Sequence, residues 1–272
     1  MEKRKTELTM LGTGNALATK CYNACFIIKA EGGRLMVDAG GGNGVLSQLE
    51  KAGEAPREIR DLFITHAHTD HMLGAVWMAR VAVAEYLNGT RDGPLEIYGH
   101  SKVLGILEQI CRMTFTAGYS ELIGETVFFR EIADGERLEI GGMSLQFFDI
   151  FSEKEKQFGF RAALPGGKSL VCLGDEPFNE KNRSHAEKAD WLMCEAFCLH
   201  ADRELFKPRK KGHGTALEAG IAAERLEAKN LILHHTEDKS LKTRKTAYAK
   251  EASKNFSGPV FVPDDLERII LE

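Results

Sequence analysis

The sequence predicts an α/β (α+β) fold in which two mixed β-sheets pack face to face with helices outside. Three observations carry this. Apolar runs of strand length recur along the 272 residues. Strands of the first half are followed by helices, then comes a β-meander, then strands and helices again. Finally, polar clusters at 66–71, 175 and 235 stand just after predicted strands. Separate strand ends of this kind can converge on one edge of a sandwich.

Composition bounds the function. A hydrophobic content of 43% and a charged content of 28% are those of a soluble globular protein. The net charge of −4 excludes a global basic excess, so any nucleic-acid contact must be local. The six cysteines (21, 25, 111, 172, 194 and 198) lack CxxC spacing. They read as reduced thiols of a cytoplasmic protein, with a metal role for the 21/25 or 194/198 pair disfavoured. No apolar leader is read in residues 1–7, and no apolar run approaches the roughly 18 residues of a membrane span.

In order, residues 8–11 form a strand closed by Gly12-Thr13-Gly14-Asn15-Ala16. This loop is no dinucleotide fingerprint, because Leu17 stands where the third glycine belongs. Strands follow at 25–29 and 34–38, then a glycine-rich turn, and a helix over 45–51 ended by Gly53. Residues 59–65 lead into the central motif through a short buried strand over 62–64, and a helix over 73–86 leaves it. A strand at 95–98 ends in His100, read as a structural histidine, and a helix over 102–113 follows. Residues 126–150 read as the meander, and 158–164 with 169–173 as a hairpin. Gly167-Lys168-Ser169 is a hairpin turn rather than a phosphate loop, since a strand follows it. Asp175 ends this hairpin. A strand over 191–196 carries Cys194-Glu195, and the basic run Lys207-Pro208-Arg209-Lys210-Lys211 precedes Gly212-His213-Gly214-Thr215. A helix over 216–228, a strand over 230–233 ending in His234-His235, a basic helix over 242–254 and a strand over 260–262 complete the chain.

The central motif is Thr65-His66-Ala67-His68-Thr69-Asp70-His71, three histidines and an aspartate within six positions. Imidazole nitrogens and a carboxylate this close suit a borderline divalent ion such as zinc. His66 and His68 lie two apart and face the same way in extended chain. Asp70 and His71 fall at the next bend and face a second ion. A polar loop rich in histidine by chance is the bland alternative, and the HxHxDH pattern argues against it.

Leu11-Gly12-Thr13-Gly14-Asn15-Ala16, Asp38-Ala39-Gly40, the HxHxDH motif, Leu173-Gly174-Asp175, His213-Gly214-Thr215 and Leu233-His234-His235 occur in one order along the chain. On these motifs the chain resembles the metallo-β-lactamase superfamily, and within it the ribonuclease Z-like branch. The resemblance implies a single αββα sandwich domain over 1–272, often a homodimer, binding zinc or manganese. It implies that His66 and His68 hold a first ion and Asp70 and His71 a second. Asp175 would bridge them, and His235, rather than His234, would complete the second. A metal-bound water, its pKa lowered from about 15.7 to about 7, would be the nucleophile, with Asp70 orienting it. His213 held by Glu195 would give the leaving alkoxide its proton, although Cys194 stands where the family has a histidine. Lys207, Arg209, Lys210 and Lys211 would attract phosphate.

Two departures shape the expectation. The family's remaining ligand to the first ion, a histidine before Gly-Tyr/Phe-Arg, aligns with Phe151, ahead of Gly159-Phe160-Arg161. Either Asp149 or Glu153 substitutes, or the first ion is weak, or one ion alone binds through Asp70, His71, Asp175 and His235. Secondly, there is no room after Gly159-Phe160-Arg161 for the long arm with which tRNA-processing members grip tRNA. A phosphodiesterase acting on a small phosphodiester or nucleotide is therefore expected, and tRNA is not. The alternatives are a thioester, lactone or lactam hydrolase on the same scaffold, and a binding or sensor protein with an impaired centre.

Overall fold

The structure, a computed structural model, describes residues 5–272. Most of the segment read as lacking an apolar leader, residues 1–4, lies outside them. The first sheet is begun by β1 (Glu7–Gly12), β2 (Cys25–Ala30), β3 (Gly33–Val37), β4 (Asp61–Phe63), β5 (Leu95–Gly99) and β6 (Val127–Glu131). The second contains β7 (Arg137–Ile140), β8 (Met143–Asp149), β9 (Phe158–Ala163), β10 (Ser169–Cys172), β11 (Trp191–Glu195), β12 (Asn230–His234) and β13 (Val260–Phe261). Strand β14 (Arg268–Ile270) returns to the first. Among the described residues the two seven-stranded sheets run β14-β1-β2-β3-β4-β5-β6 and β13-β12-β11-β10-β9-β8-β7. Each is antiparallel on one side and parallel on the other, the change falling at β3 and at β10.

Period-two side-chain alternation explains the layers. Leu8, Met10, Phe26, Ile28 and Phe63 meet Phe147, Phe160, Met193 and Ile232 between the sheets. The Phe63 ring lies 4.9 Å from Phe147 and 5.9 Å from Phe160. The alternate residues Leu11, Ile27, Met36 and Leu62 face outward into a second core. This core is covered by α1 (Gly44–Ala52), α2 (Thr69–Leu87) and α3 (Ser101–Thr114). Three short helices, α4 (Ala117–Glu121), α5 (Arg183–Ala186) and α6 (Arg203–Phe206), sit in connections. Helices α7 (Ala216–Arg225) and α8 (Leu241–Ala252) cover Val171, Leu192, Leu231 and Leu233 on the second sheet. A capping box of Thr215 and Glu218 starts α7. The chain is thus the expected αββα sandwich. No helix of the described residues is long and apolar enough to cross a membrane.

Three expectations change. The predicted meander is divided: β6 pairs in parallel with β5 in the first sheet, and β7 opens the second. The turn at 133–136 is the crossover between sheets. Strand β14 was not anticipated, since three apolar residues at 269–271 give too short a pattern. Helix α2 begins at Thr69, so Asp70 and His71 occupy its first turn rather than a bend before it.

That first turn is pressed onto the loop after β3. Ala39 N donates to His71 O at 2.8 Å and Gly74 N to Gly40 O at 2.8 Å. A Cβ at Gly74 would come within 1.9 Å of Ala39 O. Gly74→Ala is therefore expected to cost at least about 1–3 kcal/mol of unfolding free energy, as overpacking does. Urea denaturation measures it; an unchanged midpoint would contradict this packing.

Candidate metal centre

Six chain segments deliver side chains to one edge of the sandwich. Asp38 follows β3, and Thr65, His66 and His68 follow β4. Asp70 and His71 start α2. Gln157 precedes β9, Asp175 follows β10 and His235 follows β12. All but His68 are buried. Asp38 and His235 adopt left-handed backbone, φ 56° at both, where their strands turn away. Aspartate and histidine are enriched among the non-glycine residues that do so.

Asp38 positions the motif. Its Oδ1 accepts hydrogen bonds from Thr65 N at 2.8 Å and Thr65 Oγ1 at 3.0 Å, and its Oδ2 accepts from His71 Nδ1 at 2.7 Å. The proton of His71 is thus fixed on Nδ1, leaving the Nε2 lone pair aimed at the cluster. His71 Nε2, His235 Nε2 and Asp70 Oδ2 form a near-equilateral triangle with edges of 3.4, 3.4 and 3.5 Å. Asp175 Oδ2 lies 3.9 Å from His71 Nε2 and 3.8 Å from His235 Nε2. Donors about 2.0–2.2 Å from a shared ion in tetrahedral array are about 3.3–3.6 Å apart. The triangle's spacing therefore fits a divalent ion, with Asp175 slightly farther off, and Asp70, His71 and His235 are a group able to hold one. Burial opposes charge on Asp70, but the adjoining His235 and His71 side chains outweigh it and hold its carboxyl far below the usual range. It is an ionised donor.

The other half of the cluster is less complete. His66 Nε2 lies 2.8 Å from His68 Nδ1 and 3.7 Å from Asp175 Oδ2. His71, its ring 4.2 Å from that of His66, and Asp175 form with His66 a group able to hold an ion, but among the described residues no histidine from outside HxHxDH joins His66 and His68. Phe151, the residue aligned with that histidine, is 41% exposed, with the Lys181 ammonium 4.7 Å from its ring centre. Its alignment with a ligand position is corrected here: Phe151 faces solvent. Asp149 does not substitute, since its Oδ1 accepts from Phe151 N at 2.7 Å, and Glu153 is exposed. The residue against His66 and Asp175 is Gln157, whose Nε2 lies 2.6 Å from His66 Nδ1 and 2.6 Å from Asp175 Oδ1. Counting back from Gly159 missed it because the connection from β8 to β9 is irregular. A polar residue opening the apolar run Phe158–Ala163 was the available signal.

His213 stands beside this centre, its ring stacked on Phe197 at 4.8 Å and 5.2 Å from His235. Its Nδ1 donates to the Asp175 carbonyl oxygen at 2.9 Å, and the Glu195 Oε2 atom is 3.8 Å away, beyond a hydrogen bond. The expected dyad is therefore adjacent but not bonded. Burial pushes His213 down to about 3 and Glu195 well above the carboxylate range. Glu195 Oε1 accepts from Gly214 N. His100, by contrast, caps α3, its Nδ1 accepting from Val103 N at 3.4 Å.

A cavity of about 590 Å³ opens over His68, Asp70, Asp175, His213 and His235. Of the basic loop, only Lys211 lines it. Arg209 pairs with Glu218, Lys210 faces another cleft, and Lys207 is exposed in left-handed backbone with φ 49°. Two lysines not foreseen, Lys154 and Lys239, join Lys211. Phe197 and Phe206 supply aromatic wall, and ammonium groups of Lys211 and Lys239 lie 4.8 and 5.2 Å from their ring centres.

A family model described as "Anti-Pycsar protein Apyc1" matches residues 6–250. A ribonuclease Z of Pyrococcus abyssi is 36% identical over 98% of this chain and 96% of its own length. In structure, the metallo-β-lactamase fold protein YhfI from Bacillus subtilis superposes with a TM-score of 0.79 at 21% identity, covering 98% of this chain and 99% of that one. The short form of human tRNase Z does so with a TM-score of 0.71 at 21% identity, with the same coverage.

Added zinc or manganese is expected to raise the thermal unfolding midpoint, because an ion held by folded-state donors stabilises that state. Asp38→Asn keeps the shape of the side chain but removes the charge at His71. It is expected to weaken metal binding about 10–100-fold, read by competition with a chromogenic chelator. Equal affinity would dismiss the positioning role of Asp38.

Proposed function

Because this chain belongs to the Anti-Pycsar protein Apyc1 family and to the ribonuclease Z-like branch of the metallo-β-lactamase superfamily, we propose that it is a metal-dependent phosphodiesterase acting on a small phosphodiester, with a nucleotide or cyclic phosphate as its substrate class. One observation carries the finer reading: three lysines and two aromatic rings share a single cavity with the metal-ligating cluster. Its volume lies in the range of small-molecule sites. Cations suit a phosphate, and a ring suits a base or another flat group. A macromolecular grip finds less support, since β9 and β10 are joined by a short turn in which Leu164 N donates to Lys168 O at 2.8 Å.

Asp70, His71, Asp175 and His235 would hold a divalent ion. When bound, that ion supplies Lewis acidity, acidifying water and neutralising phosphate charge. The remaining work belongs to the chain. Lys154, Lys211 and Lys239 would attract and orient the anionic substrate. Asp70 would accept a hydrogen bond from the attacking water. Attack forms one P–O bond and breaks another, and the departing alkoxide needs a proton. His213 is placed to hand it over, with Nδ1 anchored on Asp175 O and Nε2 free for the cavity. Its ring is neutral when free, so the proton it hands over would first be taken from solvent as the phosphate anion enters beside it.

This gives a leaving-group test. His213→Ala is expected to lower kcat about 10²–10⁴-fold on a cyclic or alkyl phosphodiester. It should have far less effect on bis-p-nitrophenyl phosphate, whose aryl leaving group departs without a proton. Equal losses on both substrates would remove His213 from that role. The metal-loaded protein is also expected to hydrolyse the phosphodiester in preference to a thioester or a lactone; the reverse order would overturn the proposed substrate class.

A further inference from the structure

We propose that the centre holds one tightly bound divalent ion, at Asp70, His71, Asp175 and His235, and that the amide of Gln157 closes the His66/His68 half to a second. The inference rests on the ligand set proposed above and concerns only how many ions it accepts.

Gln157 is 1% exposed, and its amide is held at both ends. Its Oε1 accepts from Asp175 N at 3.3 Å, and its Nε2 lies 2.6 Å from Asp175 Oδ1. An ionised carboxylate only accepts, so the amide atom facing it must be the NH₂ group. The other hydrogen of that group points at His66 Nδ1, also at 2.6 Å. A proton on Nδ1 would collide with it. Thr65 Oγ1, 2.9 Å from the same nitrogen, directs its own proton to Asp38 and so adds no donor.

His66 Nδ1 is therefore an acceptor, and a neutral imidazole that accepts at Nδ1 carries its proton on Nε2. That proton meets His68 Nδ1 at 2.8 Å, and the hydrogen bond uses the His68 lone pair as well. The two nitrogens a first ion would need are spent on each other. In the other half, the nearest donors stand 3.4–3.5 Å apart and His71 Nε2 is kept bare by Asp38. Gly174 leaves the room Gln157 occupies: a Cβ there would come within 2.7 Å of its Oε1.

The full chain, stripped by chelation, is titrated with zinc and then manganese. Bound metal is counted by elemental analysis after desalting and by calorimetry. One retained ion per chain is expected, with any second equivalent far weaker. Gln157→Ala and Gln157→His are each expected to strengthen the second equivalent about 10–100-fold, the scale on which partners of ligands act. The nitrogen-15 spectrum of the unsubstituted protein is expected to place the His66 proton on Nε2, a measurement that needs no variant. Two ions retained by the unsubstituted protein, a His66 proton on Nδ1, or an unchanged second affinity in both variants would overturn the inference while leaving the metal-dependent reading intact. No retained ion would overturn both.

Discussion

A carboxylate with 3% of its surface exposed must find its compensation within the protein, because desolvating an unpaired charge is prohibitive. Asp175 is that group. Burial works against its charge, yet the rings of His66, His235 and His71 and the Lys154 ammonium outweigh it and hold the carboxyl well below the usual range. Its backbone carbonyl also fixes His213, and its amide N–H fixes Gln157. One residue after β10 thus sets the positions of both half-sites and of the neighbouring imidazole. The remaining geometry follows from which strands end beside it.

The two half-sites differ in what their partners do with ring protons. Asp38 accepts from His71 and so keeps the inward nitrogen bare. Gln157 donates to His66 and so loads the inward nitrogen with a proton. A carboxylate and an amide, each at hydrogen-bond distance from an imidazole, give opposite outcomes because one accepts and the other donates. Sequence motifs do not register this distinction, since both histidines sit in the same HxHxDH pattern.

Much of the site was readable nonetheless. HxHxDH, Asp175 and His235 each follow an apolar strand, and an α/β sandwich brings such strand ends together. Glu195 and His213 came from the family resemblance alone, and their separation of 3.8 Å was not readable. Regular strands and helices were legible where apolar periodicity ran long enough. The failures at the site share a cause: positions set by irregular backbone. Phe151 has φ 58° in a loop whose length defeats counting, and Gln157 lies at its far end. Lys154 and Lys239 reach the cavity from loops distant in sequence, whereas three of the four residues in the conspicuous basic run point elsewhere. The divided meander failed for another reason. Local alternation defines strands but not their partners.

Strand β14 has a consequence for how the molecule comes into being. Its pairing with β1 joins Leu8 to Ile269, spanning nearly the whole chain. Every strand of the second sheet lies between them in sequence. During synthesis, the outer edge of β1 must therefore stay open until the entire second half has emerged, a long interval for an unpaired strand edge. Cutting the gene at the crossover near residue 133 would not yield two self-sufficient halves either, because the first would lack its border strand. The sandwich is two-layered in space but indivisible along the chain.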